Sequence, residues 1–120
     1  MVDQPRSNPA YAVIFTSART DGDHGYAEMA AKMEALARRQ PGFLSVESAR
    51  TPGGTGITVS CWESLEAIRA WKQNAEHLLA QQQGKGMWYE NYRVRICQVE
   101  REYSFASPEA GSAGRRLRNR

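Results

Sequence analysis

The chain predicts an α+β domain of order β-α-β-β-α-β, a four-stranded antiparallel sheet with two helices on one face. Three observations predict it. Four short runs rich in β-branched and aromatic residues, around 11–19, 43–50, 55–62 and 89–103, alternate apolar and polar side chains. Two longer segments between them repeat apolar residues at helical spacing. Thr51-Pro52-Gly53-Gly54 joins the middle two strands by a tight turn, which leaves the helices as the only crossovers. Two right-handed crossovers of this kind give the ferredoxin-like plan.

Each element has its own warrant. Residues 1–9 read as a flexible leader, because Pro5 and Pro9 discourage regular structure. Tyr11 to Arg19 (YAVIFTSAR) reads as the first strand, and Asp21-Gly22-Asp23-His24-Gly25 as turn chemistry. In Tyr26 to Gln40, the residues Tyr26, Met29, Ala30, Met33, Leu36 and Ala37 draw one apolar stripe. Pro41-Gly42 stops this helix. Phe43 to Arg50 is the second strand. Thr55 to Trp62 is the third, with Ile57, Val59 and Cys61 on one face and Thr58, Ser60 and Trp62 on the other. Ser64 suits the N-cap of the second helix, whose buried stripe is Leu65, Ile68, Trp71, Ala75 and Leu78. Gly84 and Gly86 end the helical region, and the last strand centres on Arg93 to Val99. The folded domain is expected over 10–105, followed by a disordered basic tail over 106–120 that is rich in Ser, Gly and Arg.

Bulk properties exclude several classes. At 120 residues, 41% hydrophobic and 24% charged, the chain suits one globular domain with a core of its own. No run is long and apolar enough for a membrane helix, and the N-terminus lacks the basic start and apolar block of a secretory signal. A cytoplasmic location is therefore expected. The net charge of +3 is that of the tail, where Arg115, Arg116, Arg118 and Arg120 face only Glu109. The folded part is left balanced, without the basic surface that nucleic acid requires. Cys61 and Cys97 lie in apolar strands with no CxxC, as free buried thiols would. Glu47 and Arg50 on the second strand, with Arg93 and Arg95 on the last, are expected to form cross-strand ion pairs.

The segment Gly56 to His77 concentrates the chemistry. Trp62 ends a strand, a helix begins at once, and that helix carries Trp71, Asn74 and His77. Large aromatics and an imidazole at a strand-to-helix junction suggest a pocket between helix and sheet. The plain reading is that Trp71 is core and His77 a surface histidine. On an unbroken helix His77 stands about 240° round from Trp71, so a shared pocket requires a bend near Asn74. Trp88 and Tyr89 follow a glycine-rich loop and are placed to close a pocket mouth or a subunit contact. Asp21, Asp23 and His24 are explained by turn and cap chemistry, and no metal site is expected.

The succession YAVIFTS, GYAEMAAKMEALARRQPGFLSVES, GITVSCWES, LEAIRAWKQNAEHLLAQ and YRVRICQVEREY resembles the antibiotic biosynthesis monooxygenase family over about Tyr11 to Phe105. Its most characteristic pieces are PGF before the second strand, W-E-S at the end of the third, and a Trp and a His on the next helix. The sheet face without helices carries alternating apolar residues in all four strands, so a homodimer closed face to face through it is expected, and the resemblance implies the same dimeric α+β barrel. It implies cofactor-independent oxidation of a small aromatic or polyphenolic substrate, with no cofactor or metal. On that reading His77 is the choice for proton transfer and Asn74 for contact with the oxyanion, while Trp62, Trp71 and Tyr89 shape the substrate cavity. Two alternatives stand beside it: a non-catalytic small-ligand-binding dimer, and a haem-binding or haem-degrading protein. The haem-degrading branch places an Asn on the first strand, where this chain has Thr16 and Ser17.

Overall fold

The structure, a computed structural model of the chain, describes residues 2–3, 10–81 and 88–108. In chain order its elements are β1 (Val2–Asp3), β2 (Ala10–Arg19), α1 (Tyr26–Arg38), β3 (Phe43–Arg50), β4 (Thr55–Trp62), α2 (Leu65–Gln81), β5 (Tyr89–Val99) and β6 (Tyr103–Ser104). Strands β2 to β5 form one antiparallel sheet in the order β3-β4-β2-β5, the ferredoxin-like arrangement. β1 pairs with β6 in a separate two-stranded sheet. Part of the expected leader therefore has a partner at the far end of the chain, a pairing that local pattern does not reveal. Gly84, Gly86 and the tail beyond residue 108 lie outside the described residues. Among the described residues no helix is long and apolar enough to cross a membrane.

Local chemistry explains the element ends. The Asp23 carboxylate accepts from the N–H groups of Gly25 and Ala27, so the acid of the turn caps α1. Gly42 takes φ +85°, and a Cβ there would lie 2.6 Å from the Ala67 Cβ, so this glycine lets α2 pack on the α1–β3 turn. Glu63 N–H donates to the Gly42 carbonyl across the same contact at 2.8 Å. Ser64 Oγ accepts from Ala67 N–H at 3.0 Å, the expected N-cap of α2. Helix α2 is assigned as one continuous helix from Leu65 to Gln81, through Asn74. At the β3–β4 hairpin, Gly53 supplies φ +68° and Gly54 N–H donates to the Thr51 carbonyl.

Strand register sorts the sheet into two faces. On the helix side the rows across the sheet are Phe43–Trp62–Tyr11–Gln98, Val46–Ser60–Val13–Ile96, Ser48–Thr58–Phe15–Val94 and Arg50–Gly56–Ser17–Tyr92. The core sits over the first of these, where Trp62, Ile68 and Ala37 gather Tyr11, Val13, Phe43, Ala67 and Trp71. The bare face carries Ala12, Ile14, Ile57, Val59, Cys61 and Cys97, with Glu47 on the β3 edge and Arg93 and Arg95 on the β5 edge.

Three expectations are corrected here. β3 and β5 are opposite edges of the sheet, so Glu47 and Arg50 cannot pair across strands with Arg93 and Arg95. Leu65 is exposed rather than part of the buried stripe of α2, and Cys97 is exposed rather than buried.

Candidate functional site

The helix-facing side of the sheet has two aromatic ends and a hydroxyl middle. At one end Trp62 is 0% exposed, stacks on Trp71 with centroids 6.1 Å apart, and meets Phe43 edge-on. Its indole N–H donates to Ser60 Oγ at 2.9 Å, which satisfies the buried nitrogen. This end is packed solid, and Trp62 presents no surface to a ligand. Between the ends, the Ser60 and Thr58 hydroxyls alternate with Val13 and Phe15 along the strand floor, and Ser17 stands at the start of the second end.

The other end is assembled by two β-bulges. On β3 the register jumps from Phe43 to Ser45, leaving Leu44 without a partner. On β5 it jumps between Asn91 and Tyr89, leaving Glu90 without one. Each extra residue reverses the alternation of side chains. The first bulge puts Arg50 on the same face as Phe43, and the second puts Tyr89 on the same face as Tyr92. Tyr89 then meets Phe15, Tyr26 and Tyr92 with ring centroids 5.6, 5.8 and 5.7 Å away. Trp88 is buried beside them and donates from its indole to the His24 carbonyl at 2.9 Å, which ties the β2–α1 loop to the start of β5.

Two arginines border this cluster. Arg19 places its guanidinium 3.7 Å from the centre of the Tyr26 ring, and its nitrogens donate to the carbonyls of Trp88, Gly22 and Asp23. Arg50 reaches across Gly56, donates to Ser17 Oγ and to the Gly54 carbonyl, and lies 5.8 Å from the Tyr26 ring centre. A Cβ on Gly56 would fall 2.3 Å from the Arg50 Cζ, so only glycine leaves room for the guanidinium. Along β5, Tyr92, Val94 and Ile96 remain 42%, 47% and 49% exposed on this same side. An aromatic and aliphatic strip thus runs from the hydroxyl floor to the arginines.

Burial and the neighbouring Tyr26 hydroxyl push the Tyr89 phenol far above its usual value of 10.0, against the opposing pull of Arg50 and Arg19. Tyr89 is therefore a hydrogen-bond donor at neutral pH and not a base. Stability follows from the sign of the shift. Below the ordinary tyrosine range both folded and unfolded chains hold the proton. Above it the unfolded chain releases the proton while the folded one keeps it, so stability falls as pH rises. Tyr89→Phe is expected to soften that fall. Urea midpoints of both proteins at about pH 8 and about pH 11 measure it, and equal declines would count against a Tyr89 origin.

The expected site residues are divided between the two ends. Trp62 and Trp71 belong to the packed end, and Tyr89 to the open one. Along β2, the rows of Trp62 and Tyr92 are about 20 Å apart at the rise of an extended strand. Asn74 donates its amide to Gln40 Oε1 beyond the C-terminal end of α1, while Tyr89 packs against Tyr26 at its N-terminal end. The side chains of Asn74 and His77 are both exposed on α2. The structure does not bring Trp62, Trp71 and Asn74 together with Tyr89. The residues missed from the sequence are Tyr26, Arg19, Arg50, Ser17 and Gly56. Gly56 inside a strand was the one local signal, since such a glycine marks close approach. An open depression of about 320 Å³ lies at the hairpin end of the sheet, lined mostly by bare-face residues such as Thr16, Thr55 and Arg93. Of the residues on the helix side, only Ser17 and Tyr92 border it.

Comparison with known proteins agrees with this architecture. A family model described as antibiotic biosynthesis monooxygenase matches residues 9–83. The chain is 50% identical over 97 residues to the uncharacterized protein YqjZ of Bacillus subtilis (strain 168), covering 81% of this chain and 85% of that protein. Among solved structures it resembles SnoaB, a cofactor-independent oxygenase from Streptomyces nogalater, with TM-score 0.66 and 12% identity over 80% of this chain and 98% of that one. It also resembles PA3566 from Pseudomonas aeruginosa, with TM-score 0.61 and 18% identity over 79% and 98%. At such identities the two structures speak for the fold alone.

Proposed function

The chain belongs to the antibiotic biosynthesis monooxygenase family, and on that premise we propose that it is a cofactor-independent monooxygenase. Its substrate is a small electron-rich aromatic molecule bound between the helices and the sheet. The observation that carries this reading is the exposed strip Tyr92–Val94–Ile96, which ends at Tyr89 and two guanidinium groups on the helix-facing side. Such a strip gives a flat ring an apolar floor, and the cations favour its ionised form.

The chemistry needs no more from the protein than that. A hydroquinone or anthrone ring loses a proton to solvent, and its anion gives one electron to dioxygen. The resulting pair of radicals combines to a peroxide, and loss of water leaves a carbonyl. One oxygen atom enters the product and the other departs as water. The Tyr89 phenol and the arginines stabilise the negative charge as it forms. The proposal includes a homodimer in the cytoplasm, closed through the bare sheet face. With the two-fold axis parallel to the strands, the Glu47 edge of one protomer meets the Arg93–Arg95 edge of its partner.

Oxygen uptake with a panel of anthrones and hydroquinones tests the activity. Turnover is expected to drop by about 10²-fold in Arg50→Gln, the scale of losing one group that stabilises developing charge, and to be unchanged in His77→Ala and Asn74→Ala. Uptake that is insensitive to Arg50 but lost in His77→Ala would move the chemistry from the tyrosine cluster to α2. Saturable binding of these rings without oxygen uptake would favour the non-catalytic ligand-binding reading.

A further inference from the structure

We propose that Arg19 and Arg50 form an anion-recognition subsite at the head of the aromatic strip, and that the ligand it selects is an aromatic acid, a flat ring bearing a carboxylate. The inference rests on the small-aromatic reading of this cleft and adds the substituent that orients the ring within it.

Charge is the first reason. Both guanidinium groups are half-buried and lie over the same Tyr26 ring, which places them within about 10 Å of each other, close to one Debye length at about 0.1 M salt and well inside it at lower salt. Two cations so held repel, and each has lost part of its hydration. Among the described residues neither is paired with a carboxylate, while Arg38 and Lys72 pair with Glu34 and Glu76 elsewhere. Asp23 is near Arg19 but offers its carbonyl, because its carboxylate is committed to the first N–H groups of α1.

Donor geometry is the second. Arg50 uses two of its five N–H groups, on the Gly54 carbonyl and Ser17 Oγ, and the NH1 nitrogen of Arg19 has no partner among the described residues. The forks therefore keep donors for the two oxygens of a carboxylate. Ser17 is only 2% exposed and holds one arm of Arg50 in place, while Gly56 leaves the space that the guanidinium fills. Such fixing makes Arg50 a built feature and not a surface side chain at rest.

The ring surface is the third. Tyr92 follows Ser17 in the row that Arg50 spans, and its ring lies 5.3 Å from that of Phe15. A ligand ring lying on Tyr92 and Val94 would direct a carboxylate toward Arg50.

Calorimetric titration of the full chain with 4-hydroxybenzoate and with its neutral isostere 4-hydroxybenzamide tests the subsite. The carboxylate is expected to bind about tenfold more tightly or better, the scale of one charge-assisted hydrogen bond, and the preference should shrink as salt is added. Arg50→Gln and Gly56→Ala should each reduce it to near unity, while Arg50→Lys retains part of it. Amide chemical-shift changes at Ser17, Gly56 and Tyr92 in the unmutated protein give a readout that needs no variant to fold. No preference for the carboxylate, whether both probes bind alike or neither binds, overturns the subsite, as does a preference that survives in both Arg19→Gln and Arg50→Gln. Oxygen uptake is recorded separately. Turnover of neutral hydroquinones without carboxylate preference would leave the oxygenase reading and remove this one. Carboxylate-selective binding without uptake from any ring would do the reverse.

Discussion

Trp62→Ala is expected to lower stability by about 3–5 kcal/mol, the cost of truncating a large aromatic in a close-packed core. The side chain has no exposed surface, stacks on Trp71, meets Phe43 edge-on and anchors the cluster with Ile68 and Ala37. Its removal leaves a cavity bounded by both helices and the sheet. It also leaves the buried Ser60 hydroxyl without the indole N–H that it accepts from. Domains of this size have about 5–15 kcal/mol in total, so the variant should lose much of its resistance to urea. Leu65→Ala is the control. Leu65 fits the apolar stripe of α2 by spacing but is exposed, and the change should cost less than about 1 kcal/mol. Urea midpoints at one fixed protein concentration make the comparison. Equal midpoints for the two variants would show that the Trp62 end is not the core.

Ile14→Glu is expected to split a dimer into folded monomers. Ile14 sits at the centre of the bare face, between Val59 and Arg95 in its row. Within a single protomer the new carboxylate stays open to water and lies beside a guanidinium, so the fold should be kept. At a two-fold contact between these faces, two such carboxylates would be buried near one another, at a cost of several kcal/mol. Sedimentation should give twice 13.5 kDa for the unaltered chain and 13.5 kDa for the variant, with the same far-ultraviolet circular dichroism. Glu47→Lys should weaken the dimer less and in a salt-dependent way, because it reverses charge only at the rim. An unaltered chain that sediments as a monomer at micromolar concentration would leave the bare face without its proposed cover.

Much of the fold was legible because its signals are local. The apolar stripe of Tyr26 to Ala37, the Ser64 cap and the Thr51–Gly54 turn each act within a few residues, and all three stand in the structure. The pairing of β1 with β6 was not legible, since it joins the two ends of the chain. The candidate site was legible only in part. The sequence marks Tyr89 as a cavity residue, yet by local pattern its neighbours Tyr26 and Arg50 belong to a helix stripe and an ion pair. Strict alternation from Phe43 sends Arg50 to the opposite face, and from Tyr92 it sends Tyr89 away. Two unpaired residues, Leu44 and Glu90, reverse both. Trp62 and Trp71 stand out as aromatics at a junction; Trp62 is fully enclosed by the core, and Trp71 is partly buried against it.

The amino-acid order alone determined the four strands and two helices of the main sheet layer, their succession and hence its topology, because helix period, strand alternation and turn chemistry are properties of short segments. Tertiary structure decided which side chains share a space. Strand register and two bulges carry Arg19, Arg50, Tyr26 and Tyr89 to one end of the sheet and leave Trp62, Trp71 and Asn74 at the other. Those distances depend on pairing between strands far apart in the chain, and a single extra residue in one strand is enough to turn a side chain from one face to the other.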